Sequence, residues 1–127
     1  METVNFNDNQ LYNFISWLEL LENNCKIEKL ESETVKKVIF LPAAMEREVE
    51  VTDLKFKLLA SNDIFIVRYY KRPILDITFV NHKQQVRETN KTTNVISLFK
   101  LNRDDDLYEP INIWEALNLL NNKDEDE

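Results

Sequence analysis

The chain of 127 residues contains no glycine, whereas glycine makes up about 7% of ordinary protein sequence. This absence excludes the P-loop, the glycine-rich dinucleotide-binding turn and the nucleophile elbow, because each needs glycine for close backbone approach or positive φ. Turns must instead use Asn and Asp, which tolerate the left-handed region better than most residues. Ser61-Asn62-Asp63 and Asn81-His82 are therefore predicted turns.

Cysteine and long apolar runs are also scarce. The single cysteine, Cys25, follows an apolar segment, so we expect it to be buried, and it has no partner for an internal disulfide. No apolar run approaches the roughly 18 residues of a membrane helix. No Lys or Arg precedes Lys26, which argues against a signal peptide. We therefore expect a cytoplasmic protein without a membrane partner.

The sequence does not indicate an enzyme. His82 is the only histidine, and a catalytic histidine needs an orienting acid and a nucleophile beside it, neither of which the sequence indicates. We interpret His82 as a turn residue. The acidic run at 104–106 does not converge on a cation and is explained better as helix-start electrostatics. No cofactor and no metal site are predicted.

The distribution of charge is the strongest functional signal. The whole chain has a net charge of −7, but residues 64–103 carry eight Lys or Arg and two acidic residues, a net charge of +6. Aromatic residues are interleaved with these cations. Phosphates attract cations and bases stack on aromatic rings, so this composition is typical of a surface that binds single-stranded nucleic acid.

The cations concentrate at the end of one predicted strand, 64–72, and in the segment that follows. One strand face carries Arg68, Tyr70 and Arg72, and the other carries Tyr69 and Lys71. Tyr and Arg stack on bases, and Arg binds phosphate through two hydrogen bonds. The predicted nucleic-acid-binding residues are Arg68, Tyr69, Tyr70, Lys71, Arg72, Lys83, Arg87 and Lys91.

Two alternatives stay open. The cations of 64–103 balance the acidic termini in a mixed-sign surface, or the acidic parts themselves, 46–50, 104–106 and the C-terminal end, bind a basic protein partner by imitating phosphate. In the second case the protein is an inhibitor or an immunity-type protein.

Hydrophobic periodicity predicts one α+β domain over 1–121, followed by a disordered acidic tail at 122–127. A helix begins with Asp8 as its cap and ends near Asn23. Strands are predicted at 25–30, 35–41, 48–60, 64–72, 74–80 and 94–101, with Pro73 as an interruption and 81–93 as a long loop or weak hairpin. A second helix is predicted at 110–121, with Pro110 at its first position. Such consecutive strands favour a curved antiparallel sheet or a small β-barrel flanked by the two helices.

This overall build, with a helix at 8–23, strands at 49–101 and a helix at 110–121, resembles the PrgU-like family of small plasmid-borne proteins from Gram-positive bacteria. The resemblance lies in the build and not in a short motif, so no family residue is assigned to a position here. It implies a PUA-like fold, a compact β-barrel with flanking helices, and RNA-level control of genes on a mobile element. Together, charge and resemblance predict a non-enzymatic regulator, from a plasmid or phage, that binds RNA or single-stranded nucleic acid.

Overall fold

The structure, a computed structural model, describes residues 3–42, 45–102 and 104–112. Its elements in chain order are β1 (Thr3–Phe6), α1 (Asp8–Asn23), β2 (Ile27–Leu41), β3 (Met45–Leu58), β4 (Ile64–Val80), β5 (Lys83–Asn102) and β6 (Leu107–Ile111). Within these residues no helix is long and apolar enough to cross a membrane.

All strands form one antiparallel sheet in the order β1-β5-β4-β3-β2. β6 also pairs with β5, along the same edge as β1, because β1 pairs with residues 94–97 and β6 with residues 98–102. In the described part of the chain β2 pairs only with β3, so the sheet is open. The prediction of an antiparallel sheet with an N-terminal helix is confirmed, and within the described residues this sheet does not close into a barrel.

The core lies between α1 and one face of the sheet. Phe14, Leu18 and Leu21 recur at helical spacing, and this spacing places them on the buried side of α1. Alternating strand residues supply the other half of the core because successive side chains point to opposite faces. These residues are Ile27, Leu54, Phe56, Leu58, Phe65, Val67, Ile96 and Leu98.

Helix α1 is closed by a hydrogen-bonded motif at each end. Asn7, not Asp8, is the N-cap: its side chain accepts from the Gln10 N–H, and the Gln10 side chain accepts from the Asn7 N–H. At the other end Cys25 has φ 60°, and the N–H of Lys26 donates to the Leu21 carbonyl at 2.9 Å. This is a Schellman motif with Cys25 at the position that glycine usually takes. Cys25 is exposed, so its expected burial is wrong.

In the absence of glycine, Asn and Asp were predicted to take the left-handed positions in turns, and the structure confirms this at three positions. Asn62, Asn81, His82 and Asp106 take positive φ, as Cys25 does. Asn81 and His82 are the two loop residues between the paired residues Val80 and Lys83, and positive φ at both is the geometry of a type I′ hairpin turn. His82 is therefore a turn residue, as predicted.

The strands are longer than hydrophobic alternation predicts. The strands expected at 25–30 and 35–41 are one strand, β2, with an irregularity between Lys29 and Glu31. Residues 28–38 are exposed, and their sequence lacks the apolar alternation from which a strand is predicted. They form a strand because they pair with β3. β4 continues through Pro73, where the register with β5 shifts, and residues 83–93 form the first half of β5 rather than a loop.

The predicted C-terminal helix does not begin at Pro110. Pro110 and Ile111 lie in β6, opposite Phe99 and Leu98. Within the described residues β6 pairs only with β5, and proline, which has no N–H to donate, is tolerated in a strand that pairs on one side only. Residues 113–121 of the predicted helix and the predicted tail at 122–127 lie outside the described residues.

Candidate nucleic-acid interface

The candidate interface begins where the sheet divides. β3 and β4 pair only from Lys57 opposite Ile64 to Thr52 opposite Tyr69. Beyond that row β3 pairs with β2 and β4 with β5, which leaves two two-stranded ribbons. We call residues 35–51 the β2–β3 ribbon and residues 70–93 the β4–β5 ribbon. An ion pair between Arg47 and Glu88 joins them.

The two ribbons differ in charge. The β2–β3 ribbon has three Lys or Arg and three acidic residues, a net charge of zero. The β4–β5 ribbon has five Lys or Arg against Asp76 and Glu88, a net charge of +3. Half of the +6 net charge of residues 64–103 therefore lies on the β4–β5 ribbon.

Register divides the β4–β5 ribbon into a basic and an apolar face. The alternate residues along one face of β4 are Tyr70, Arg72, Ile74, Asp76, Thr78 and Val80. Asp76 and Val80 are paired with Arg87 and Lys83. This arrangement places Tyr70, Arg72, Arg87 and Lys83 on the same face, which we call the basic face. The opposite face carries Leu75, Ile77, Phe79 and Val86.

Arg87 and Lys83 are exposed on the basic face, whereas Arg72 and Tyr70 are half-buried. The Asp76 carboxylate lies 3.8 Å from the Arg87 guanidinium, and the Arg87 side chain is 81% exposed. An exposed pair at this separation is worth little, so the Arg87 guanidinium can exchange Asp76 for another anion at small cost.

Arg68 lies on the same side of the sheet as the basic face, but its guanidinium is already paired with the Asp53 carboxylate. Its Nε and Nη2 donate to the two carboxylate oxygens of Asp53 at 2.8 and 3.0 Å. Its guanidinium also lies 5.0 Å from the centroid of the Phe99 ring. The hydrogen bond to Asp53 raises the pKa of Arg68. Arg68 is thus a cross-strand structural residue, and it contributes less to a phosphate surface than its charge predicts.

The remaining predicted residues are placed elsewhere. Tyr69 packs against the core, and the Lys71 ammonium lies 3.8 Å from Asp8 on the helix side of the sheet. Lys91 is exposed in the segment where the β4–β5 register shifts, and its N–H donates to the Thr89 hydroxyl at 3.2 Å. The structure therefore brings four of the eight predicted residues, Tyr70, Arg72, Lys83 and Arg87, to the basic face of the ribbon. Arg68 lies on the same side of the sheet but is paired with Asp53.

Phe79, one of the aromatic residues of the basic segment, is not among the predicted binding residues, but it is 73% exposed near the tip of the ribbon. It lies on the face opposite the cations, in the row of Gln84. The two-residue turn at Asn81-His82 was the signal for this hairpin tip.

A cleft of about 420 Å³ lies where the ribbons separate. Glu48, Glu50 and Thr52 line one side, and Tyr69 and Lys71 line another. Asn94, which is 1% exposed, also borders it and donates to Asp8 at 2.9 Å, and this bond and nearby Lys71 lower the pKa of Asp8. Across the described ranges no group of three or more His, Cys, Asp or Glu side chains is placed to hold a metal ion.

Comparison with known proteins finds no match: no family model, no curated protein and no solved structure matches the chain. The resemblance to PrgU-like proteins stays a prediction from overall build.

Proposed function

We propose that the protein is a non-enzymatic regulator that binds RNA or another single-stranded nucleic acid through the β4–β5 ribbon. The observation that carries the proposal is the net charge of +3 on this ribbon in a chain whose net charge is −7. In line with the resemblance, the bound RNA would be a transcript of a mobile element.

The spacing of the basic face suits a flexible strand. Arg72, Arg87 and Lys83 lie in rows that are four β4 residues apart, which is about 13 Å per step at 3.3 Å per residue. A single strand adjusts its backbone to cations at this spacing, and Tyr70, half-buried at the core end of the row, supplies an aromatic ring for a base. Lys91 extends the positive charge along β5.

The experiment is a fluorescence-anisotropy titration of a labelled single-stranded RNA of about 16 nucleotides, a length within known single-strand site sizes. We expect the triple variant R72Q/K83Q/R87Q to bind at least about ten-fold more weakly than wild type, a loss of about 1.4 kcal/mol. The matched control is K29Q/K57Q/K100Q, which loses the same charge away from the ribbon and is expected to bind nearly as wild type does.

Three results would contradict the proposal. Wild type binds no RNA at low salt, the two triple variants lose affinity equally, or duplex DNA of the same sequence binds more tightly than the single strand.

A second candidate is an acidic protein that binds a basic partner, and one observation favours it. Glu46, Glu48 and Glu50 alternate along one face of β3, opposite Phe40, Val38 and Lys36, and Phe40 is 74% exposed. A row of carboxylates beside an exposed ring imitates a phosphate backbone with stacked bases.

This candidate predicts that E46Q/E48Q/E50Q elutes from immobilised poly-lysine at lower salt than D104N/D105N/D106N, which removes the same charge elsewhere. Equal elution would argue against a localised acidic site.

The PUA-like fold implied by the resemblance belongs to the same proposal. It requires residues 113–121 to form the second flanking helix, and it requires the sheet, which is open within the described residues, to close into a barrel. An experimental structure of the full chain would test both requirements.

A further inference from the structure

The outer edge of β2 lacks a strand partner in the described part of the chain. β2 has 15 residues, its inner edge pairs with β3, and residues 28–38 are exposed along their whole length. Every second residue of an edge strand presents an unpaired N–H and C=O outward, and these groups are a template for another strand.

The order of charges along β2 selects the strand that would pair with it. Toward its beginning β2 carries Glu28, Glu31 and Glu33 with one cation, Lys29, and toward its end it carries Lys36 and Lys37 with no acid. Two copies of β2 in antiparallel orientation place the acidic half of each copy beside the lysine half of the other. A parallel arrangement in register would place like charges together, which destabilises a sheet.

We propose that the outer edge of β2 pairs with the β2 edge of a second copy of this chain, around a two-fold axis normal to the sheet. The result is a homodimer with one continuous antiparallel sheet across both copies. Isologous pairing of this kind is the commonest form of closed association.

The alternation of faces restricts the register. Residues 31, 33, 35 and 37 share one face of β2, and paired residues must share a face across the axis. Two registers satisfy this rule and pair Glu with Lys: Glu31 opposite Lys37 around Thr34, or Glu33 opposite Lys37 around Val35. Each contact occurs twice by symmetry.

Apolar surface supports the same arrangement. Leu30, Val38 and Phe40 are exposed on β2. The register around Thr34 places Leu30 near Val38, and the register around Val35 places it near Phe40. Either way, pairing covers side chains that the single chain leaves in water.

The test is sedimentation velocity over a concentration series at moderate salt, with charge-reversed variants. Wild type is expected to shift toward twice its mass of 15.2 kDa as concentration rises. E31K/E33K and K36E/K37E each place like charges across the axis, so each should raise the dimer dissociation constant at least about ten-fold, equivalent to about 1.4 kcal/mol. An equimolar mixture of the two variants restores opposite charges and should form a heterodimer.

The control E46K/E48K changes the net charge as E31K/E33K does, but on β3, and should dimerise as wild type does. E31K/E33K also reduces the net negative charge of the chain, so general repulsion predicts stronger association for it, the opposite of the expected result. The proposal is overturned if wild type stays monomeric throughout, if both double variants dimerise as wild type does, or if the mixture associates no more than its components.

Hydrogen exchange on wild type needs no variant. The outward amides of β2 should become protected as concentration rises, while those of β4 stay unchanged. Outward β2 amides that exchange equally fast at every concentration would exclude pairing at this edge.

Discussion

Replacing Asp53 by alanine tests whether Arg68 is a structural residue rather than a phosphate ligand. The Asp53 and Arg68 side chains share two hydrogen bonds of 2.8 and 3.0 Å and are only 26% and 33% exposed. A charge-assisted pair of this kind is stronger than a fully exposed ion pair, which is worth about 0.2–1 kcal/mol. Because both side chains are partly exposed, breaking this pair should cost well below the roughly 3–5 kcal/mol that breaking a fully buried pair costs.

We therefore expect D53A to lower the free energy of unfolding by about 1–2 kcal/mol. At this chain length that lowers the melting temperature by roughly 4–8 °C. Urea denaturation followed by circular dichroism measures the loss. The matched control is D76A, because the Asp76–Arg87 pair is 3.8 Å apart and its side chains are 50% and 81% exposed. D76A should change stability by less than about 0.5 kcal/mol.

A double-mutant cycle with R68A completes the experiment. The coupling energy between positions 53 and 68 should exceed about 1 kcal/mol. If D53A is no more destabilising than D76A, or if the coupling energy is near zero, Arg68 is not a structural residue paired with Asp53. It would then be a candidate phosphate ligand again.

Two further predictions concern the termini of α1. Cys25→Gly should stabilise the protein by about 1 kcal/mol because it relieves a positive φ of 60°; Cys25→Ala, which loses the thiol but keeps the Cβ, should not, and equal melting temperatures for both variants would refute the reasoning. The lowered pKa of Asp8 means that its contribution to stability is present above its ordinary pKa of 3.8 and is lost as the pH falls through its lower folded value. The free energy of unfolding of Asp8→Asn, measured by urea titration at a series of pH values, should therefore fall less steeply below pH 3.8 than that of wild type. The same dependence on pH in both proteins would contradict a stabilising role for the Asp8 carboxylate.

Predictions from sequence succeeded where local periodicity carries the signal. The apolar stripe of α1 and the turn at Asn81-His82 were both readable, because each depends on residues within a few positions of one another. The predicted N-cap was wrong by one residue, because Asn7 and Asp8 are both good caps. Only the two reciprocal hydrogen bonds between Asn7 and Gln10 distinguish them.

The features that were not predicted from sequence depend on residues that are distant in the chain and adjacent in the sheet. β2 is a strand because β3 pairs with it, although its exposed residues have no apolar alternation. The partner of Arg68 is on a neighbouring strand, and only the register of β3 with β4 brings Asp53 opposite it. The basic face likewise needs the register of β4 with β5 to bring Arg87 and Lys83 beside Arg72.

The most direct test of nucleic-acid binding by the β4–β5 ribbon is the salt dependence of single-stranded RNA binding. Each neutralised phosphate contributes about −0.7 to the slope of log K against log salt for single strands. The three cations changed in R72Q/K83Q/R87Q therefore account for a slope of about −2. We predict that this variant has a slope shallower than wild type by about that amount, whereas K29Q/K57Q/K100Q keeps the wild-type slope. A wild-type slope near zero, or an equal slope in both variants, would contradict binding through this ribbon.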